Sequence, residues 1–151
     1  MKCIDRLPPD VKKEIRIAVE NELERYHIYK YTLFHDREVN ITTVISDTPK
    51  SFTGTTSDQT SNVAVYNVDE PARRRAFCDR LEKAVEQLPH RERFLITERY
   101  MKRDMPFDYA VYSLLMDPPV TEATYAKLKN KAMALLALML NLQIDGLKQL
   151  G

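Results

Sequence analysis

Lys127, Lys129, Asn130 and Lys131 crowd into five positions, and their side chains are the ones in this chain best suited to grip a polyanion. A lysine ammonium neutralises a phosphate as a point charge, and an asparagine amide can pair with an adenine edge through two hydrogen bonds. Just before them stand Thr121, Glu122, Ala123 and Thr124, a run of short side chains that lets the start of a helix approach base edges. On a helical wheel from Tyr125, residues Leu128, Ala132, Leu135 and Leu136 fall on one side, while Ala123, Lys127, Asn130 and Lys131 fall on the other. Thr121 is expected to anchor a phosphate, with Glu122, Ala123, Thr124, Lys127, Asn130 and Lys131 facing the bases. Lysines on an exposed face commonly serve only solubility, so the argument rests on the elements around them.

Those elements come in a definite order. Leu88-Pro89-His90-Arg91-Glu92-Arg93-Phe94 opens a helix, because the missing N–H of Pro89 has no partner in a first turn. Asp108-Tyr109-Ala110-Val111-Tyr112 opens a second, with the Asp108 carboxylate expected to cap the free amides. Pro118-Pro119 cannot continue that helix, and Thr121 supplies an N-cap hydroxyl for a third, with Glu122 favourable near its positive end. The order predicts an all-α fold with a C-terminal helix-turn-helix for double-stranded DNA. The connection Met116-Asp117-Pro118-Pro119-Val120 is longer than a tight turn of that kind.

Upstream, Val11, Ile15, Ala18, Val19, Leu23, Tyr26, Tyr29 and Leu33 recur at three- and four-residue spacing and predict a long amphipathic helix from Asp10 to about Phe34. Residues 1–35 are read as an N-terminal helical arm, and residues 36–61, rich in Thr and Ser with Pro49 and Gly54, as a connector. A short strand is expected over Val39–Ser46. Residues 62–151 form the DNA-binding domain, in which Asp69-Glu70-Pro71 reads as a cap and restart ahead of an apolar stripe of Phe77, Leu81, Ala84, Val85 and Leu88. The basic run Arg73-Arg74-Arg75 at that start invites an acidic partner, since cations are disfavoured there.

Composition narrows the function classes. With 151 residues, 44% hydrophobic, the chain is the size of one domain with a modest core. A net charge of +1 argues against a general nucleic-acid coat and confines any DNA contact to a local patch. Cys3 and Cys78 lie far apart without neighbouring ligands, and His27 and His35 lack a third, so neither a disulfide framework nor a metal site is expected. With only 3 Gly, no phosphate-binding loop and no catalytic spacing, no enzymatic activity and no cofactor are expected; pairing of Glu82 and Glu86 with Arg80 and Lys83 accounts for those acids. No apolar run approaches the length needed to cross a bilayer, and a reducing cytoplasm fits best.

The stretch from Ser51 through Val68, then Leu88 to Met101 with Arg91-Glu92-Arg93 and Glu98-Arg99-Tyr100-Met101, then Asp108 to Tyr112 and Thr124 to Ala132, resembles the ArpU family over roughly the last two-thirds of the chain. That resemblance implies a small phage or prophage regulator of late, packaging and lysis genes in a bacterial host. The same C-terminal region is similar, more distantly, to region four of sigma factors, on the Leu88-Pro89 opening and the Ala132 stripe. This implies promoter DNA as the target, while the ArpU resemblance implies activation more than repression; association with the nucleoid is expected, with RNA polymerase as a candidate partner. The run Ala132 to Leu142 is apolar on nearly every side, so it is either deeply buried or shared with a second copy in a homodimer. The competing expectation is a non-catalytic helical adaptor, binding RNA polymerase or serving DNA packaging as a terminase small subunit does.

Overall fold

A computed structural model describes residues 2–44, 58–148 and 150, and every described element is helical. α1 (Lys2–Asp5) leads into α2 (Pro9–Val44), which begins at a proline pair whose second ring occupies the first helical position. α3 (Asp58–Glu86) returns along α2. α4 (His90–Ile96) widens into a π-helical turn over Thr97–Met101, and α5 (Asp108–Ala110) does the same over Val111–Leu115. α6 (Glu122–Met139) follows a cis Asp117–Pro118 peptide, and a 3-10 turn, Asp145–Leu147, closes the described chain.

α6 is the central element, packed by α1, α2, α3 and α4. Its second half is apolar on nearly every side because neighbours stand on several sides: Ala132, Met133, Ala134, Leu136 and Ala137 are all buried within the chain. Burial within one protomer therefore accounts for most of the apolar excess that suggested a homodimer. Three small alanines at 132, 134 and 137 leave room for the flanking helices to come close. Ile15, Val19 and Leu23 of α2 meet Leu81 and Val85 of α3 and Leu95 and Ile96 of α4 in the same cluster. Residues 1–35, expected as an arm, thus supply part of the core shared with residues 78–147.

Both ends of α6 are closed by local chemistry. Thr121 accepts a hydrogen bond from the Thr124 amide at 3.3 Å, the N-cap that its position predicts. At the other end Asn141 takes a positive φ of 55°, and Asn141 N–H and Leu142 N–H donate to the Leu138 and Ala137 carbonyls. This is a Schellman closure with asparagine where glycine is usual. The 3-10 turn then docks Gly146 directly on α2, where an added Cβ would overlap both methyls of Val11.

The structure corrects three expectations. The backbone of residues 36–44 is helical, so neither the connector nor the strand begins where expected; residues 45–57, which hold the rest of that strand and half of the connector, lie outside the described residues. Once a helix is nucleated, each further residue adds a hydrogen bond, and no Gly or Pro interrupts before Pro49. α3 begins at Asp58 and runs through Pro71 without a restart, since a single proline removes one bond from a helix of 29 residues. Asp108 does not cap α5; its carboxylate is bound to other elements.

Candidate nucleic-acid interface

α6 divides into two halves with different environments. From Ala132 to Ala137 it is largely core, with Leu138 and Met139 exposed beyond, whereas Thr121, Glu122, Ala123, Thr124, Ala126 and Lys127 are exposed. Tyr125 alone of that end is buried, so the turn containing it attaches by one aromatic side chain. The first six residues of the candidate set are therefore not equivalent in what they can offer. Thr121 directs its one hydroxyl proton to the Thr124 hydroxyl at 3.0 Å, so donating to a phosphate requires giving up that bond. Glu122, Ala123, Thr124 and Lys127 present their side chains to solvent, and Asn130 is half-buried.

The three lysines of α6 separate in the same way. Lys131 ion-pairs with Glu92 of α4 at 2.7 Å, and Glu92 is the one charged side chain fully buried among the described residues. Its ammonium is committed to neutralising that carboxylate. Lys129 reaches Asp108 at 3.1 Å and lies 4.0 Å from Glu20 of α2. Lys127 is exposed and has no ion-pair partner among the described residues, which makes it the lysine of α6 available to a ligand.

Asp108 is the focus of the surrounding polar network. Its Oδ1 accepts from Arg99 Nε at 2.9 Å and from the Tyr125 hydroxyl at 2.8 Å, and its Oδ2 accepts from Lys129 Nζ. Burial alone would raise the Asp108 carboxyl; the hydrogen bonds from Tyr125, Lys129 and Arg99, with the charge of Lys129, outweigh it and hold the group below its ordinary range. Burial, reinforced by the neighbouring carboxylate, raises the Tyr125 phenol. Tyr100, on the π turn after α4, donates to Glu20 at 2.9 Å and is raised for the same two reasons. Tyr109, Tyr112 and Tyr125 form a chain of ring contacts at 5.5 and 5.2 Å along α5 and the start of α6.

A second network ties α2 to α3. Glu82 pairs with Lys30 at 2.6 Å and accepts from the Tyr26 hydroxyl at 2.8 Å, in place of the pairing with Lys83 expected along its own helix. Arg80 donates to the Leu140 carbonyl at the end of α6. Arg73 and Arg74 find their acidic partner in Glu70, three and four residues earlier. Cys3 and Cys78 are free thiols, the first exposed and the second buried. Among the described residues no cluster of three or more His, Cys, Asp and Glu is placed to hold a metal ion, and no helix is long and apolar enough to cross a membrane.

Sequence reasoning missed Arg99, Asp108 and Lys129 as a unit because they come from three separate elements. A signal existed for Lys129, which lies four residues after Tyr125 and hence on the face that carries the buried ring. No protein-family model and no solved structure matches this chain. It is similar to an uncharacterized phage-related protein of Listeria innocua, 25% identical over 145 residues that span 96% of this chain and 99% of the relative.

Proposed function

We propose that this protein is a sequence-specific, double-stranded-DNA-binding transcriptional regulator of phage late, packaging or lysis genes, acting as an activator and without catalytic activity. The observation that carries the reading is the exposed first half of α6, whose second half is fixed in the core. A helix held in this way presents short side chains and one free lysine to a groove while its own fold stays intact. The phage setting is supported by the name of the Listeria relative, and the gene class by the resemblance to the ArpU family. Contact is assigned first to Glu122, Ala123, Thr124 and Lys127, with Thr121 and Asn130 beside them. Lys131 serves the fold through Glu92.

The test is binding of the purified protein to fragments tiling its own phage or prophage genome, at physiological salt with excess competitor. A discrete site upstream of a late operon is expected, bound at least 1,000-fold more tightly than bulk DNA, about the lower bound for specific regulators. Uniform binding, or none, would remove the reading.

One observation favours a second reading, that of a helical adaptor. Phe107, Tyr109 and Leu114 are 83%, 66% and 75% exposed on and beside α5, an unusual concentration of large apolar side chains in water. Contact with RNA polymerase, or with a second copy of the chain, would cover them. Titration of purified RNA polymerase against the protein, with and without Phe107→Glu, separates this role from DNA reading.

A further inference from the structure

We infer that Asp108 is the positioning residue of the exposed end of α6: its carboxylate sets the angle at which Thr121 to Lys127 project from the molecule. The apolar core holds α6 firmly only from Ala132 onward. Ahead of that point the helix has one buried ring, Tyr125, and the partly packed Leu128. A rod clamped at one end and touched lightly at the other keeps rotational freedom at its free end unless something directional fixes it. Hydrogen bonds are directional in a way that apolar contact is not.

Apart from the Lys131–Glu92 pair beside the clamped half, the fixing bonds converge on one carboxylate. Tyr125 and Lys129 stand one helical turn apart on the same face of α6, and both donate to Asp108. Two anchor points along an axis define an angle, which a single anchor cannot. Asp108 is itself held by Arg99, whose guanidinium also lies 4.8 Å from the Tyr100 ring centre. Tyr100 in turn is tied to α2 through Glu20, and His27 of α2 bonds the Tyr100 carbonyl. The chain of contacts therefore runs from α2 through the π turn and α5 to the start of α6.

Exposure makes the role separable from stability. The Asp108 side chain is 40% exposed, so water replaces the lost partners when the charge is removed, and Glu20 remains beside Lys129. Loss of Asp108 then loosens an angle more than it opens the core. This deepens the proposed DNA reading, yet one of its measurements does not depend on DNA at all.

The experiment compares wild type, Asp108→Asn and Asp108→Glu in a Cys3→Ser background, with spin labels introduced at the exposed positions Ala126 of α6 and Lys13 of α2. Asp108→Asn is expected to broaden or shift the distance distribution, with Asp108→Glu restoring part of it. On a DNA site found for the wild type, specific affinity should fall at least 10-fold in Asp108→Asn, while nonspecific affinity and the salt slope stay the same. Unchanged distances in Asp108→Asn overturn the inference. Changed distances in a protein whose wild type finds no specific site sustain the positioning role and remove the DNA reading. Should Asp108→Asn fail to fold, Tyr125→Phe, which deletes one of the two anchors and keeps the ring, is read in its place, and an unchanged distribution there overturns the inference.

Discussion

Lys127 and Lys131 stand one turn apart on the same side of α6 and answer to different partners. Removing one member of a buried ion pair costs about 3–5 kcal/mol, because the remaining charge is stranded, whereas an exposed lysine is worth about 0.5 kcal/mol or less. Lys131→Ala is therefore expected to lower the urea unfolding midpoint sharply, since Glu92 is left alone in protein. Lys127→Ala should leave that midpoint where it is and reduce the salt slope of DNA binding by about 1. Equal unfolding midpoints for the two variants would show that Glu92 does not depend on Lys131. The helical wheel places both lysines outward, because periodicity reports the angle around an axis; Lys127 is exposed there, whereas Lys131 is half-buried against α4. What stands opposite that angle belongs to another helix, so the Glu92 pairing was not legible. Lys129 was, in part, from its spacing to Tyr125.

Helix starts were the most legible elements, since their chemistry is local. Thr121 bonds an amide three residues away, and Pro89 immediately precedes α4, with its carbonyl accepting from Arg93 at 2.8 Å. Thr121→Ala is accordingly expected to cost about 1 kcal/mol in equilibrium unfolding, the usual worth of an N-cap side chain. Restoration by Thr121→Ser or Thr121→Asp would confirm that the hydroxyl acts as an acceptor. Helix lengths were less legible. Thr and Val have only modestly unfavourable helix propensities, and that small term loses to propagation in the last turns of α2. Asp108 fell between the two cases: a carboxylate at a helix start reads as a cap, and only the folded chain brings Arg99, Tyr125 and Lys129 close enough to claim it.

Across the whole molecule, two carboxylates each join separate elements, Glu82 tying α2 to α3 and Asp108 of α5 tying the π turn after α4 to α6, and both are held below their ordinary values. Burial opposes this at Glu82, but the hydrogen bonds from Lys30 and Tyr26 with the charge of Lys30 prevail, as those of Tyr125, Lys129 and Arg99 do at Asp108. A group whose folded pKa is depressed contributes stability that is complete above its unfolded value, about 4, and is lost as pH falls through the folded value. Urea unfolding midpoints should therefore show no loss from these two groups between pH 7 and pH 5 and a decline below about pH 4. That decline should be shallower in Glu82→Gln, and an identical acid limb would exclude Glu82 as its source. Finally, the division of α6 separates two kinds of evolutionary pressure along one helix. The buried positions of its second half tolerate little change, because deleting methylenes from a packed interior costs about 2–5 kcal/mol, while substitutions at Glu122, Ala123, Thr124, Ala126 and Lys127 cost the fold almost nothing. Under the proposed DNA-binding role, a change of target at these five positions keeps the same scaffold and carries no loss of stability.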